Sequence, residues 1–379
     1  MTILNGRGDA RGAFAVERIK AGIAVAGIAI AGCVLSGEAQ ASSGAAQEAV
    51  KASNNATQSA IQSAITTVRD FLVNVRRLQS GSQPLRFDGD ANASYDPFEA
   101  LGYAKSGMVT KARPMAAPAG PNYFVSAWGQ GSADHERRSL TFAGADASSR
   151  TTSFTGLGGG DVVRIGLADT ADALVIGLLG SHTSTHTDAA GGTAVRSRTP
   201  GVGAYLAYIN GGFSMDFSVV ASFTSSDSTV GVVTTNTKTD SYTYSANMQN
   251  RFDMPNNWWI EPTVGIIFTQ LSVNTLNFTD GHSTRLQGGA RVGTEWTCGT
   301  VKIQPSLTGL AFGDVVVESP VLNGTAFAGP TDKGYLWGKG VGKVNFQWTE
   351  KFSTSGEAEI RGLADVIGYG ARVQARYTF

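Results

Sequence analysis

Alternation of apolar and polar side chains with a period of two dominates the chain from Tyr123 onward. In the last such segment, residues 369–379, Tyr, Ala, Val and Phe occupy one face, and Gly, Arg, Gln and Thr occupy the other. Successive side chains of a strand point to opposite faces, so one face suits an apolar environment and the other suits water. The same pattern recurs at residues 213–219, 258–268, 302–307 and 352–361. Both a soluble β-sandwich and a membrane barrel produce such alternation.

The turn signals between these segments favour the membrane barrel. We predict about twelve antiparallel strands with short connections after even-numbered strands and mostly long, polar connections after odd-numbered ones. The predicted strands start near Tyr123, Ser153, Ala173, Thr199, Phe213, Thr237, Trp258, Ser283, Val301, Gly334, Phe352 and Val366. The predicted long loops are residues 131–150, 186–198, 225–236, 274–281 and 314–332. Short periplasmic turns and long outer loops are typical of outer-membrane barrels, so we expect an all-β, transmembrane antiparallel barrel over residues 121–379.

The first 41 residues have the order of an export signal. Arg11, Arg18 and Lys20 precede an apolar run at residues 21–35, and small residues follow at Ala39 and Ala41. This order of basic, apolar and small segments predicts a signal peptide over residues 1–41, cleaved after Ala41. Lipidation of Cys33 is the alternative, because residues 30–33 resemble a lipobox.

Residues 42–78 predict an Ala-rich α-helix. Ile61, Ile65, Val68, Leu72 and Val75 recur at spacings of four and three, which places them on one helical stripe. A helix of about 30 residues would be roughly 45 Å long, enough to cross the hydrocarbon layer inside a polar lumen. The segment is therefore a candidate lumenal plug or passenger stub. Residues 79–120, rich in Pro, Gly and Ser, predict an irregular linker.

Composition narrows the function classes. Charged residues make up 16% of the chain, with 30 basic and 30 acidic side chains, which gives no electrostatic case for binding nucleic acid. Beyond the N-terminus no apolar run approaches the roughly 18 residues of a membrane-spanning helix. If Cys33 is removed with the signal, Cys298 has no partner, so no intramolecular disulfide is expected.

Charged residues on the last three predicted strands form a candidate site. Hairpin geometry brings Glu357 close to Lys343 on one side and to Arg372 on the other, and opposite charges across strands stabilise a sheet. The expected interpretation is a salt-bridge network lining a wet lumen, and the functional alternative is a polar track that binds the helix or steers solute. The members of this predicted lumen charge network are Lys339, Lys343, Glu357, Glu359, Arg361, Arg372 and Arg376.

No enzyme motif stands out in the sequence. His182 and His186 lie four residues apart, and residues 134–136 form an acidic and histidine cluster in the first predicted outer loop. No third metal ligand and no nucleophile elbow accompany them. We therefore predict no catalytic residue, no cofactor and no metal site, and a loop-borne hydrolase remains the alternative from another class.

Four short segments of this strand pattern resemble the translocator domain of classical monomeric autotransporters. They are residues 123–129 (YFVSAWG), 259–262 (WIEP), 301–305 (VKIQP) and 375–379 (ARYTF). The resemblance covers roughly residues 121–379 and implies the outer membrane of a Gram-negative bacterium, a helix in the lumen and a passenger N-terminal to it. It also implies insertion by the barrel-assembly machinery, with Val373, Tyr377 and Phe379 carrying the signal in the last strand.

The N-terminal region departs from the family's pattern. Between Ala41 and the predicted barrel, the sequence shows none of the strand repeats that a β-helical passenger needs. We therefore expect a non-enzymatic membrane anchor or a translocation pore for a short N-terminal segment. The alternative is a stand-alone barrel or adhesin that binds through its outer loops and secretes no passenger. The expected partners are the barrel-assembly machinery, periplasmic chaperones, and outer-membrane lipid and lipopolysaccharide. Twelve strands in one chain favour a monomeric barrel over a trimeric one.

Overall fold

The computed structural model describes the barrel and a few helical residues that precede it. The described residues are 61, 65–66, 68, 123–139, 141–142, 145–146, 148–167, 172–274, 279–318, 321–322, 325–326, 335–363 and 365–379. The predicted signal peptide, its cleavage residues Ala39 and Ala41, Cys33 and the predicted linker lie outside these residues. So do Leu72 and Val75 of the predicted helical stripe.

Twelve long antiparallel strands form a closed barrel, in which each strand pairs with the next along the chain. The strands are β1 Tyr123–Arg138, β2 Ser149–Ile165, β3 Asp172–Ala189, β4 Thr193–Asn210, β5 Phe213–Val230, β6 Val233–Asn250, β7 Trp258–Val273, β8 Gly281–Thr294, β9 Val301–Glu318, β10 Leu336–Gln347, β11 Phe352–Leu363 and β12 Val366–Thr378. The predicted barrel and its strand number are confirmed.

Short elements accompany the barrel strands. Phe252–Asp253 pairs with β7, and Trp296–Cys298 pairs with β9. Two small hairpins, Thr141–Phe142 with Ala145–Asp146 and Val321–Leu322 with Thr325–Ala326, lie in the connections after β1 and β9. Cys298 is exposed and free.

Pairing of the first and last strands closes the sheet. The β1–β12 register runs from Ser126 opposite Thr378 to Arg138 opposite Val366. The backbone N–H of Phe379 donates to the carbonyl of Val125 at 2.9 Å and extends this seam. A closed sheet leaves no unpaired edge in lipid, where an unsatisfied backbone group costs several kcal/mol.

The two faces of the barrel have opposite chemistry to those of a soluble protein. Large apolar side chains that point outward are exposed, as in Phe154, Leu178, Val264, Leu307 and Val373. Many buried side chains carry hydroxyl, amide or charged groups and point inward. This is the apolar-out, polar-in arrangement of membrane barrels.

Strands extend by several residues into four of the five predicted outer loops, including residues 131–138 of the first and residues 314–318 of the last. The turn between β3 and β4 is only Ala190–Gly192, and Gly231 and Val232 alone separate β5 from β6. The predicted loops 186–198 and 225–236 are therefore mostly strand. Hydroxyl pairs such as Ser197–Ser226 at 2.8 Å and Thr199–Thr224 at 3.0 Å join these segments. Threonine is β-branched and fits a pleated sheet, so these polar segments form strands although their polarity predicts loops.

The barrel wall has unequal height. Strands β3 to β6 have 18 residues each, whereas β10, β11 and β12 have 12, 12 and 13. About 9–11 residues suffice for a transmembrane strand. The wall of β3–β6 therefore extends well beyond the membrane, on the side opposite the chain's entry into β1.

The described residues that precede the barrel are helical. Ile61, Ile65, Thr66 and Val68 have helical backbone and buried side chains. Among the residues that the structure describes, no helix is both long and apolar enough to span a membrane.

Candidate functional site

The candidate site is the barrel lumen, whose wall divides into two chemically different halves. Inward positions on β2 to β7 carry many hydroxyl side chains that pair across strands, as in Thr155–Thr183 at 3.0 Å and Ser218–Ser245 at 2.7 Å. Inward positions on β8 to β12 and β1 carry most of the charged side chains. Strand alternation positions both sets, because one face of every strand points into the lumen.

Arg361 and Arg372 organise the charged half. Arg361 on β11 contacts Glu359 through Nη1 at 2.6 Å. Arg372 on β12 contacts Glu357 at 2.6 Å and Glu359 at 2.5 Å through Nη1. Lys339 on β10 places Nζ 2.8 Å from Glu359 Oε2. Glu359 is therefore shared by three cations on three neighbouring strands.

Of the other two predicted members of the network, Lys343 has the expected neighbour and Arg376 does not. Lys343 lies opposite Glu357 in the β10–β11 register, and Glu357 lies opposite Arg372 in the β11–β12 register. Arg376 does not join Glu359. Its Nη2 lies 2.5 Å from Asp161 Oδ1 on β2, across the seam strand β1.

Sequence reasoning missed two carboxylates of this cluster. The predicted outer loop 131–150 includes Asp134 and Glu136, but they are inward positions of β1. Arg361 lies 3.4 Å from Asp134 and 3.2 Å from Glu136, and Arg372 lies 3.4 Å from Asp134. The inward phase of Ser126, Trp128, Gln130 and Ser132 continues into these two residues, and that phase was the available signal. The ion pairs thus join β11 and β12 to β1 across the closing seam.

A second group of polar contacts lies on the lumen wall beside the charged network. Tyr205 on β4 donates its hydroxyl to Asp161 Oδ2 at 2.7 Å, and Trp128 Nε1 on β1 donates to the Tyr205 oxygen at 3.0 Å. The two rings approach each other over the lumen face of β2 and β3. A Cβ atom at Gly159 would collide with the Trp128 ring, and one at Gly177 would collide with the Tyr205 ring. These glycines therefore provide the space in which the rings lie against the wall.

The helical residues pack against this aromatic pair. Ile61, Ile65 and Val68 are at most 2% exposed and form one hydrophobic cluster with inward residues of β1 to β5. The barrel members of the cluster are Trp128, Leu157, Val163, Ala173, Val175, Leu179, Tyr205, Ala207, Ile209 and Val220. Apolar inward positions are unusual in a polar lumen, so this cluster forms a seat for the helix.

The seat lies toward the end of the barrel where the chain enters β1. Val163 and Ile209 are near the ends of β2 and β4, and Ala173 is near the start of β3. Val68 also lines a small cavity there with Phe124, Val163 and Arg376. The apolar helix seat therefore adjoins the Arg376–Asp161 ion pair.

The predicted assembly residues lie on the outer surface. Val373, Tyr377 and Phe379 are 67%, 45% and 67% exposed and share the outward face of β12. The rings of Tyr377 and Phe379 contact each other edge to face at 5.1 Å.

The histidines are separated from the lumen network. His182 and His186 point outward from β3, and His186 Nε2 lies 3.2 Å from Asp188 Oδ1. In the part of the chain that the structure describes, no group of three or more His, Cys, Asp or Glu side chains could hold a metal ion.

These features define an outer-membrane β-barrel with a helix seat in its lumen. The autotransporter beta-domain model matches residues 127–359, and the chain belongs to that family. It is an outer-membrane protein of a Gram-negative bacterium. The translocator barrel of this family is not itself an enzyme.

Solved structures agree with this fold. The beta domain of the Bordetella autotransporter BrkA is 16% identical, with a TM-score of 0.54 over 67% of this chain and 98% of that one. The transport unit of the autotransporter AIDA-I from Escherichia coli is 11% identical, with a TM-score of 0.53 over 72% of this chain and 93% of that one. No curated protein sequence matches the chain.

Proposed function

We propose that the barrel anchors the chain in the outer membrane and serves as the pore that holds or passes its N-terminal segment. The observation that carries this proposal is the burial of Ile61, Ile65 and Val68 against inward barrel residues. Burying an aliphatic side chain of this size stabilises by about 1.5–3 kcal/mol. Three such side chains favour a seated helix over an open pore.

Ion conductance in planar bilayers tests the seat. We expect the wild-type chain to conduct weakly and Ile65→Asp to conduct more, because an ionised carboxylate in the apolar cluster opposes seating of the helix. Val232→Asp is the matched control, since Val232 is 100% exposed in the β5–β6 turn. Equal conductance of wild type, Ile65→Asp and Val232→Asp would contradict the plug.

Passage of the N-terminal segment has its own test. An epitope tag at Ser43 in intact cells should become sensitive to added protease if the segment reaches the cell surface. A tag that protease removes only after the outer membrane is permeabilised would show a periplasmic segment and exclude transport. A tag in the β5–β6 turn provides the control for surface access.

We propose that the barrel-assembly machinery recognises the outward residues Val373, Tyr377 and Phe379. Their shared face and exposure support this role. Replacing all three with Ala should lower the heat-modifiable, folded fraction in the outer membrane, whereas Ala at Ile260, Val264 and Phe268, outward residues of β7, should not. Equal losses in both triple variants would contradict a specific signal. Periplasmic chaperones and lipopolysaccharide are the other proposed partners of this monomeric barrel.

For the lumen network we propose a bracing role with no enzymatic activity, cofactor or metal. Its ion pairs span β10, β11, β12 and β1, so they support the seam at which the barrel closes. Equilibrium unfolding of Arg372→Met tests this role.

A further inference from the structure

Four arginines point outward near the outer rim of the barrel. Arg137 lies on β1, Arg150 on β2, and Arg196 and Arg198 on β4, and all four are exposed. We call them the outer arginine belt. They lie at the ends of the strands opposite the chain's entry into β1, beyond the apolar part of the outer surface.

Their arrangement is unfavourable without an anion. Arg137 lies directly opposite Arg150 in the β1–β2 register, and like charges in that position destabilise a sheet. Among the residues that the structure describes, none of the four guanidinium groups makes an ion pair or a side-chain hydrogen bond. Each can therefore donate several hydrogen bonds to an external ligand.

Nearby carboxylates do not neutralise the belt. Asp188 lies opposite Arg150 but is 3.2 Å from His186 Nε2. Asp227 lies opposite Arg196 but accepts a 2.8 Å hydrogen bond from Asn236. On the outward positions near the outer rim of β1 to β5 that the structure describes, four arginines therefore face two aspartates.

An apolar surface lies directly beneath the belt. Phe154, Leu178 and Val202 point outward and are 61%, 68% and 58% exposed. Phe154 and Val202 each lie four residues toward the membrane centre from Arg150 and Arg198. At about 3.3 Å per residue this separation is about 13 Å along the strand, so one ligand can contact both surfaces.

We propose that the outer arginine belt binds the phosphate groups of lipopolysaccharide while its acyl chains pack on Phe154, Leu178 and Val202. A planar guanidinium fork matches phosphate oxygens, and paired arginines suit a lipid that carries two phosphates. This site rests on the lipopolysaccharide contact proposed above and assigns it to one wall. No equivalent basic cluster lies at the outward rim of β10 to β12 within the described residues.

Lipid A binding to the folded full chain tests the site. Native mass spectrometry in a non-ionic detergent would measure binding of diphosphoryl lipid A to wild type and to Arg137→Gln/Arg150→Gln/Arg196→Gln/Arg198→Gln. We expect the fourfold variant to bind several hundredfold more weakly, since each arginine near an anionic lipid surface contributes about fivefold and four such factors multiply to about 600. Arg164→Gln is the matched control, because Arg164 is an exposed outward arginine at the other end of β2.

Three further ligands identify the source of the phosphate. Dephosphorylated lipid A should bind wild type as weakly as diphosphoryl lipid A binds the fourfold variant. Inorganic phosphate should compete only at much higher concentration, and phosphatidylglycerol should bind more weakly than lipid A. Equal binding of phosphatidylglycerol, or full competition by inorganic phosphate at equal concentration, would overturn the assignment to lipopolysaccharide.

The variants distinguish an error in the proposed arginine site from an error in the proposed lipopolysaccharide contact. If wild type and Arg164→Gln both fail to bind lipid A, the lipopolysaccharide contact itself is wrong. If the fourfold variant binds as well as wild type, or Arg164→Gln loses as much, only the belt is wrong. Heat-modifiable mobility reports folding, and the pairs Arg137→Gln/Arg150→Gln and Arg196→Gln/Arg198→Gln give the same comparison if the fourfold variant does not fold.

Discussion

Removal of the Arg372 charge should destabilise the barrel at its closing seam. Arg372 is 5% exposed and contacts Glu357 at 2.6 Å, Glu359 at 2.5 Å and Asp134 at 3.4 Å. Arg372→Met keeps most of the side-chain volume and removes the guanidinium. The three carboxylates then lose a shared cation on the strand that pairs with β1.

The size of the loss in the free energy of unfolding depends on which carboxylates keep another cation. Glu359 retains Lys339 at 2.8 Å and Arg361 at 2.6 Å, and Asp134 retains Arg361 at 3.4 Å. Loss of one partner of a buried ion pair costs about 3–5 kcal/mol when the remaining charge is uncompensated. Because Glu359 and Asp134 keep these cations, we expect the free energy of unfolding to fall by about 3 kcal/mol, at the low end of that range.

A double-mutant cycle isolates the Arg372–Glu357 pair. Unfolding in urea, followed by tryptophan fluorescence in lipid vesicles, would compare wild type, Arg372→Met, Glu357→Gln and the double variant. Neutralising Glu357 should cost less in the Arg372→Met background than in wild type, with a coupling of about 1–3 kcal/mol. Gln374→Met, at the next inward position of β12, controls for apolar substitution in the lumen.

Two results would refute this reasoning. If Arg372→Met unfolds within about 0.5 kcal/mol of wild type, the cluster behaves like a solvated surface network. If Arg372→Met is destabilised no more than Gln374→Met and the cycle shows no coupling, the loss comes from changed packing. Either result would remove the bracing role proposed for the network.

Two further predictions concern the lumen glycines and the lipid-facing surface. Gly177→Ala should displace the Tyr205 ring and lower stability by about 2 kcal/mol, whereas Gly180→Ala, where the nearest atom to a new Cβ is 3.9 Å away, should be neutral. Urea unfolding measures both, and equal stabilities would contradict the collision. Val264→Arg should cost about 2–4 kcal/mol if Val264 lies near the bilayer midplane, whereas Val232→Arg, in the fully exposed β5–β6 turn, should cost little. Similar unfolding midpoints for these two arginine variants would contradict the assigned membrane position.

The fold followed from the sequence because alternation is a local property. The start of β7 at Trp258 and of β11 at Phe352 coincides with the predicted position, since turn residues precede an alternating segment in both cases. The outer ends were harder to predict. Ser225 and Thr237 lie in segments where both faces are polar, so no apolar alternation separates strand from loop above the membrane.

The lumen site was only partly predictable, because its partners come from distant strands. The opposition of Glu357 to Lys343 and Arg372 requires only adjacent hairpins, and hairpin register is set by short turns. The contact of Arg376 with Asp161 requires the barrel to close through β1. That closure joins residues separated by 215 positions along the chain, and no local pattern encodes it.

Strand alternation also explains why the same strands carry two separate sets of charged side chains, one facing the lumen and one facing outward. Because inward and outward side chains alternate on every strand, β1 presents Asp134 and Glu136 to the lumen and Arg137 to the outside. The inward acids meet Arg361 of β11, whereas the outward arginine meets Arg150 of β2 with no acid between them. Ion pairing inside the barrel therefore satisfies its charges within the chain, but the outer arginine belt requires a partner from the membrane. The tests of Arg372 and of the belt should give independent results, because their side chains lie on opposite faces of the same sheet.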